Sequence, residues 1–330
     1  MKRIAILCPG RGSYTEKTMR TLPTGHPWVQ RADELRREYG LPTLTELDSA
    51  EKFSSALHLR PANVSLLIWL VTMLDSHAAM EQDECVAIAG NSMGWYTALA
   101  VGGALSFDDG FRLVQEMALL QERHAGGGQI LYPLVDDEWR RDPARAQAVA
   151  AALASSGGHA LPSIDLGGFA VLAGTEEGIK HLLAQLPQVK LGANTYPFRL
   201  MQHGAYHTPF VQPVSDAALE TLARLSFRAP RATLVDGRGV RFTPWSTDVG
   251  ELVRYTLTTQ VTDPYDFTKS VRVALREHAP DELVLPGPGN TLGGICGQIL
   301  CHEGWRGMAC KGDFEREQSG ERPLVRSMRR

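Results

Sequence analysis

The 330-residue sequence predicts an α/β fold in which a large domain is interrupted by a smaller one, and three observations carry the prediction. Two short apolar runs, residues 3–8 (RIAILC) and 85–89 (CVAIA), read as buried strands, and each ends in a glycine-bearing turn. The second run passes through GNSMG straight into the helical stretch WYTALA, so strand, turn and helix follow without a linker. Between the triple glycine at 126–128 and Phe198, short apolar runs (QILYPLV, GFAVLAG) alternate with alanine-rich helical stretches (PARAQAVAAALASS, EEGIKHLLAQL). That alternation suits a β-α-β-β-α-β insert.

In chain order, the first strand ends at CPGRGSY, a glycine-rich turn. From Pro61, PANVSLLIWLVTMLDSHAAM places apolar residues at helical spacing, and the strand that follows enters the turn at Ser92. A helix is expected from about Phe107 to His124, stopped by the triple glycine that opens the insert. After the insert come MQHGAYHTPF, a helix from about Val211 to Leu225, a loop region and DPYDFTKSVRVALREH. The strand-like ELVLPGPG and its following helix complete the large domain, assigned to 1–127 and 199–312 with 128–198 as the small one. Residues 313–330 are charged and poor in apolar side chains, which predicts a poorly ordered tail. No internal repeat is present.

Hydrophobic residues make up 43% of the chain and charged residues 22%, an ordinary globular balance with enough apolar material for a sizeable core. The formal net charge of −3 lacks the basic footprint that nucleic-acid backbones require, so no nucleic-acid partner is expected. The five cysteines, Cys8, Cys85, Cys296, Cys301 and Cys310, form no C-x-x-C pair, which predicts no metal site and fits a reducing compartment. IAILCPG is too short for a signal-peptide core and no apolar run is read as reaching membrane length, so a cytoplasmic protein with no membrane partner is expected.

Ser92 lies between Gly90 and Gly94 in the pattern G-x-S-x-G. In a strand-turn-helix context that turn is sharp enough to strain the serine backbone and push its hydroxyl outward. The N–H of Met93 then points to where negative charge develops on an attacked carbonyl, reinforced by the positive end of the helix. A serine at a tight turn of a glycine-rich protein produces the same five letters, so the motif needs a base beside it. Of ten histidines, His58, His77, His159 and His278 fall in ordinary helices or loops. His207 stands in GAYHTPF, a loop leading into a helix, where either a general base or a structural histidine fits.

Taken together and in order, CPGRGSY, GNSMGWYTAL, GAYHTPF, and QVTDPYDFTKSV followed by LPGPGNTL resemble the malonyl-CoA:acyl-carrier-protein transacylase family, including polyketide synthase acyltransferase domains. The resemblance spans nearly the whole chain. It implies an α/β-hydrolase-like large domain with an inserted ferredoxin-like small subdomain. It also implies that Ser92 takes an acyl group from a thioester and passes it to the phosphopantetheine thiol of an acyl carrier protein. On this reading His207 is the general acid and base, and Gln260 orients the imidazole through its backbone carbonyl. Asn63 falls near the family's active-site glutamine. No bound cofactor is implied; acyl-CoA and carrier-protein phosphopantetheine enter as substrates, and a monomer is the family expectation.

The departures bear on substrate. Members accepting malonyl carry an arginine in R-L-V-x-x-R-G that pairs with the free carboxylate. Here the helix reads Arg112-Leu113-Val114-Gln115-Glu116-Met117-Ala118, with Met117 in that place, which predicts an acyl group without a terminal charge. A helix shifted so that Arg112 or Arg123 reaches in is the alternative. Asn91 replaces the family's histidine, Trp95 its glutamate and Arg11 its first-loop glutamine. Arg11 joins Met93 at the oxyanion position, binds an acyl carboxylate, or turns to solvent; Trp95 walls the acyl tunnel or packs in the core. Tyr206 joins Met117, Asn91, Trp95 and Asn63 as the candidate substrate-binding set. Arg199 is a candidate for a basic patch facing an acidic carrier protein. Three functions follow: transfer to a carrier protein, hydrolysis of acyl thioesters, or carrier-protein binding without turnover.

Overall fold

The computed structural model describes residues 1–329. Its larger sheet has six strands in the order Arg241–Phe242, Leu234–Val235, Glu84–Gly90, Arg3–Cys8, Glu282–Leu285, Val325–Ser327. All neighbours are parallel except the first pair. The central strand is apolar for a physical reason: Ile4, Ala5, Ile6, Leu7 and Cys8 are fully buried because helices cover both faces.

Helix Pro61–Gln82 is the longest element and sixteen of its residues are buried. Its length and mean hydropathy of 1.2 match a membrane span, contrary to the expectation that no run reaches that length. The apolar window is 78% buried inside the protein, so core packing accounts for its composition.

The second sheet runs Tyr265–Asp266, Ala160–Leu166, Phe169–Gly174, Gly128–Pro133, Phe198–Arg199. Helices Pro143–Ala154 and Glu176–Gln185 lie between its strands in sequence, giving the split β-α-β-β-α-β order of a ferredoxin-like unit. Ile130, Tyr132, Leu172, Ile179 and Leu182 form its separate core. Tyr265–Asp266, from the large domain, pairs in parallel with Ala160–Leu166 and ties the two sheets together.

The C-terminal segment differs from the predicted disordered tail. Lys311–Gln318 is a helix and Val325–Ser327 is an edge strand parallel to Glu282–Leu285. Leu324 and Val325 are buried. Arg326 pairs with Glu282 at 2.7 Å and Asp83 at 2.9 Å, and Arg329 pairs with Asp75 at 2.8 Å. The charges that suggested disorder are therefore partners for acidic groups at the edge of the sheet; Arg330 lies outside the described residues.

Candidate active site

The elbow after Glu84–Gly90 is set by two close backbone approaches. A Cβ on Gly90 would stand 2.1 Å from the carbonyl carbon of Gly94, and one on Gly94 would stand 2.2 Å from the Cys8 carbonyl oxygen. Only glycine at both places lets the turn lie against the neighbouring strand. Ser92 consequently adopts φ +53°, a left-handed conformation that costs a non-glycine residue energy. Bonds from Asn91 N–H to the Cys8 carbonyl (2.9 Å) and from Trp95 N–H to the Ser92 carbonyl (3.0 Å) hold it there.

His207 also has a positive φ, +59°, and its N–H donates to the Val261 carbonyl at 3.0 Å. The loop thus places Nε2 2.7 Å from the Ser92 hydroxyl oxygen and Nδ1 2.8 Å from the Gln260 carbonyl. The carbonyl beside Nδ1 accepts a hydrogen bond from the Nδ1–H tautomer, which leaves Nε2 with a lone pair facing the hydroxyl. Gln260 follows a π turn at Tyr255–Thr259, a distortion common where a helix must aim a group. Its side chain donates to the Ser92 carbonyl at 3.1 Å and accepts from the Tyr96 hydroxyl at 2.6 Å.

Burial pushes the His207 pKa down to about 4, the Gln260 carbonyl opposing the fall and the Arg11 charge adding to it. The imidazole is therefore neutral near pH 7 and able to accept a proton. Arg11 does not turn to solvent. Its guanidinium lies 4.6 Å over the Tyr206 ring, with one terminal nitrogen, Nη1, buried and without a partner. Together with Ser92, Met93, Gln121, Tyr206 and His207 it lines a cavity of about 20 Å³, room for about one water molecule.

Gln260 lines it as well, whereas Asn63, Trp95, Met117 and Asn91 do not reach it. Both ends of the Asn63 side chain are occupied: it accepts from Arg36 at 2.6 Å and donates to the Leu57 carbonyl at 2.9 Å. Trp95 is fully buried, donates to Thr256 at 3.0 Å and meets the Tyr255 ring edge-on, which resolves its two readings as core packing. Met117 is 1% exposed in the main core, and Asn91 lies under the elbow against Gly10 with its side-chain oxygen unpartnered. These four, expected to bind substrate, are corrected to positions in the core or beneath the elbow: none lines the cavity. Arg112 is near Asp109 and lines a surface recess with Tyr39 and Arg224, so it does not replace Met117. Arg199 is engaged bidentately by Glu176 and does not present a free charge.

Sequence reading missed Gln121, one helical turn beyond Met117, and Tyr96, the residue that fixes the Gln260 amide. It also missed His203, which meets Tyr206 edge-on and whose pKa burial, the Arg11 charge and His207 push down. Among the described residues no group of three or more histidine, cysteine or acidic side chains is arranged to hold a metal.

No protein-family model matches the chain. It is 24% identical over 305 residues to the malonyl CoA-acyl carrier protein transacylase of Escherichia coli O157:H7, covering 91% of this chain and 94% of that one. The crystal structure of the Synechocystis malonyl-CoA:ACP transacylase superposes with a TM-score of 0.74 at 17% identity, over 98% of this chain and 96% of that chain. The acyltransferase domain from the second module of the salinomycin polyketide synthase gives a TM-score of 0.71 at 20% identity, over 99% and 69% of the two chains. In sequence over nine-tenths of its length, and in fold, this chain is similar to the malonyl-CoA:acyl-carrier-protein transacylases.

Proposed function

We propose that the protein is an acyltransferase that carries an acyl group on Ser92 from a CoA or carrier-protein thioester to the phosphopantetheine thiol of an acyl carrier protein. The observation that carries the reading is the relay from the Ser92 hydroxyl through His207 to the Gln260 carbonyl at 2.7 and 2.8 Å. His207 Nε2 takes the hydroxyl proton as Oγ bonds to the thioester carbonyl carbon, and returns it to the sulfur as the carbon–sulfur bond breaks. The acceptor thiol repeats the sequence in reverse, so no net proton is gained or lost. The Met93 N–H and the unpartnered Nη1 of Arg11 supply donors for the oxyanion, and the neutral Gln260 carbonyl leaves the imidazole weakly basic, enough for a thiolate leaving group.

The acyl group carries no terminal charge in this reading, because helix Phe107–His124, with Met117 in the core and Arg112 at the surface, sends no arginine into the cavity to pair with a malonyl carboxylate. In the same reading the protein is a cytoplasmic monomer, its five free cysteines kept reduced. Hydrolysis is the second reading, supported by a cavity beside Ser92 with room for one water. Acetyl-CoA and malonyl-CoA, each with and without holo carrier protein, test both, followed by intact-mass spectrometry. Acetyl transfer to the carrier protein faster than malonyl transfer supports the proposal. Free acid accumulating at the same rate with and without carrier protein selects hydrolysis, equal malonyl and acetyl rates overturn the assigned specificity, and no acyl-enzyme at all leaves a binding module.

A further inference from the structure

A recess of about 450 Å³ lies away from the Ser92 cleft and shares no lining residue with it. Its volume is within the range of small-molecule sites, about 300–1,000 Å³. Helix Pro61–Gln82 contributes Met73, Ser76 and Met80 to one wall. Trp28 and Phe107, stacked with centroids 5.5 Å apart, form another. These side chains offer an apolar bed.

Two observations show that the bed suits more than hydrocarbon. The Ser76 side chain is 1% exposed and lines the recess, yet its hydroxyl has no hydrogen-bond partner. A buried hydroxyl left unpaired costs free energy that a ligand oxygen would recover. Arg228 and Arg231 stand at the recess exposed to solvent, and among the described residues neither guanidinium pairs with a carboxylate. Arg228 spends only its Nε, on the Gly103 carbonyl at 2.7 Å. The single carboxylate on the lining, Asp83, is occupied by Arg326 at 2.9 Å.

We propose that this recess binds a free medium-chain fatty acid, its tail against Trp28, Met73 and Phe107 and its carboxylate on Arg228 and Arg231, with Ser76 as a further donor. Arginine forks match a carboxylate, while the stacked aromatics match a chain. The inference is independent of the Ser92 chemistry.

Calorimetric titration of the full chain with decanoate, kept below micelle formation, tests it, with decanol as the uncharged control. The expected result is one saturable decanoate site, weakened at least tenfold by R228A/R231A, while decanol binding is unchanged by those substitutions. Met80→Trp, at a partly exposed position on the wall, should fill the recess and weaken both ligands; circular dichroism confirms that each variant is folded. Absence of saturable binding overturns the proposal. So does decanoate binding that neither variant alters, which would put the ligand elsewhere.

Discussion

The side-chain amide of Gln260 donates to the backbone carbonyl of Ser92 at 3.1 Å, while the backbone carbonyl of the same Gln260 accepts from His207 at 2.8 Å. One residue thus fixes the strained serine and orients the imidazole, and it does so across 168 positions of sequence. The two tasks belong to different atoms, so they separate experimentally. Gln260→Ala keeps the carbonyl and loses the clamp on the elbow together with the bond from the Tyr96 hydroxyl. A fall of about tenfold in kcat/KM is expected, against about 10²–10⁴-fold for His207→Ala. Equal losses in steady-state assays of the two variants would mean that the side chain, not the carbonyl, orients the histidine.

The depressed pKa of His207 sets the pH behaviour. The base works when neutral, so kcat/KM should be flat above about pH 6 and fall as pH drops through about 4. The stability consequence has the same sign. An unfolded chain binds this proton near 6.5 and the folded one near 4, so between those values unfolding takes up protons and stability falls as pH is lowered. A pH-rate profile with its acid limb near 6.5 contradicts this account.

Arg11 as an oxyanion donor predicts an effect blind to acyl identity. Arg11→Ala should slow acetyl and malonyl transfer alike, by about 10²–10³-fold, the usual cost of one oxyanion donor. Removing its charge should also raise the His207 pKa, read by NMR titration of the imidazole. A loss confined to malonyl-CoA would instead make Arg11 a carboxylate anchor.

Asn63 is read here as a support for buried Arg36, which is also held by the Ala62 carbonyl and Gln115, both at 2.7 Å. Asn63→Ala should therefore lower stability by about 1–3 kcal/mol by leaving a buried guanidinium N–H unpaired. Denaturant titration measures that loss, and the Ser92 acylation rate at a temperature where the variant is folded should stay at the wild-type value.

The two large strands, the helix after the elbow and the alternation of the small domain were legible because burial leaves a periodic imprint on sequence. Ser92 and His207 were legible because each sits in a short motif with its own backbone demand. Orientation on a helix was not: Met117 and Gln121 differ by one turn, and only packing decides which faces the cleft. The C-terminal strand was hidden for a similar reason, since the charges of Arg326 and Arg329 look like solvated residues until Glu282, Asp83 and Asp75 come beside them. Helix Pro27–Glu38, which carries Arg36 into the interior, was passed over because its surface is rich in charge.

The central claim is that Ser92 is the acylated atom and His207 its base. Rapid-quench incubation with acetyl-CoA, followed by peptide-level mass spectrometry, tests it most directly. The account predicts an acetyl adduct on the peptide containing Ser92, formed at least 10²-fold more slowly in His207→Ala and absent in Ser92→Ala. An adduct of undiminished amount in Ser92→Ala, or one located on another residue of the wild-type chain, would contradict it.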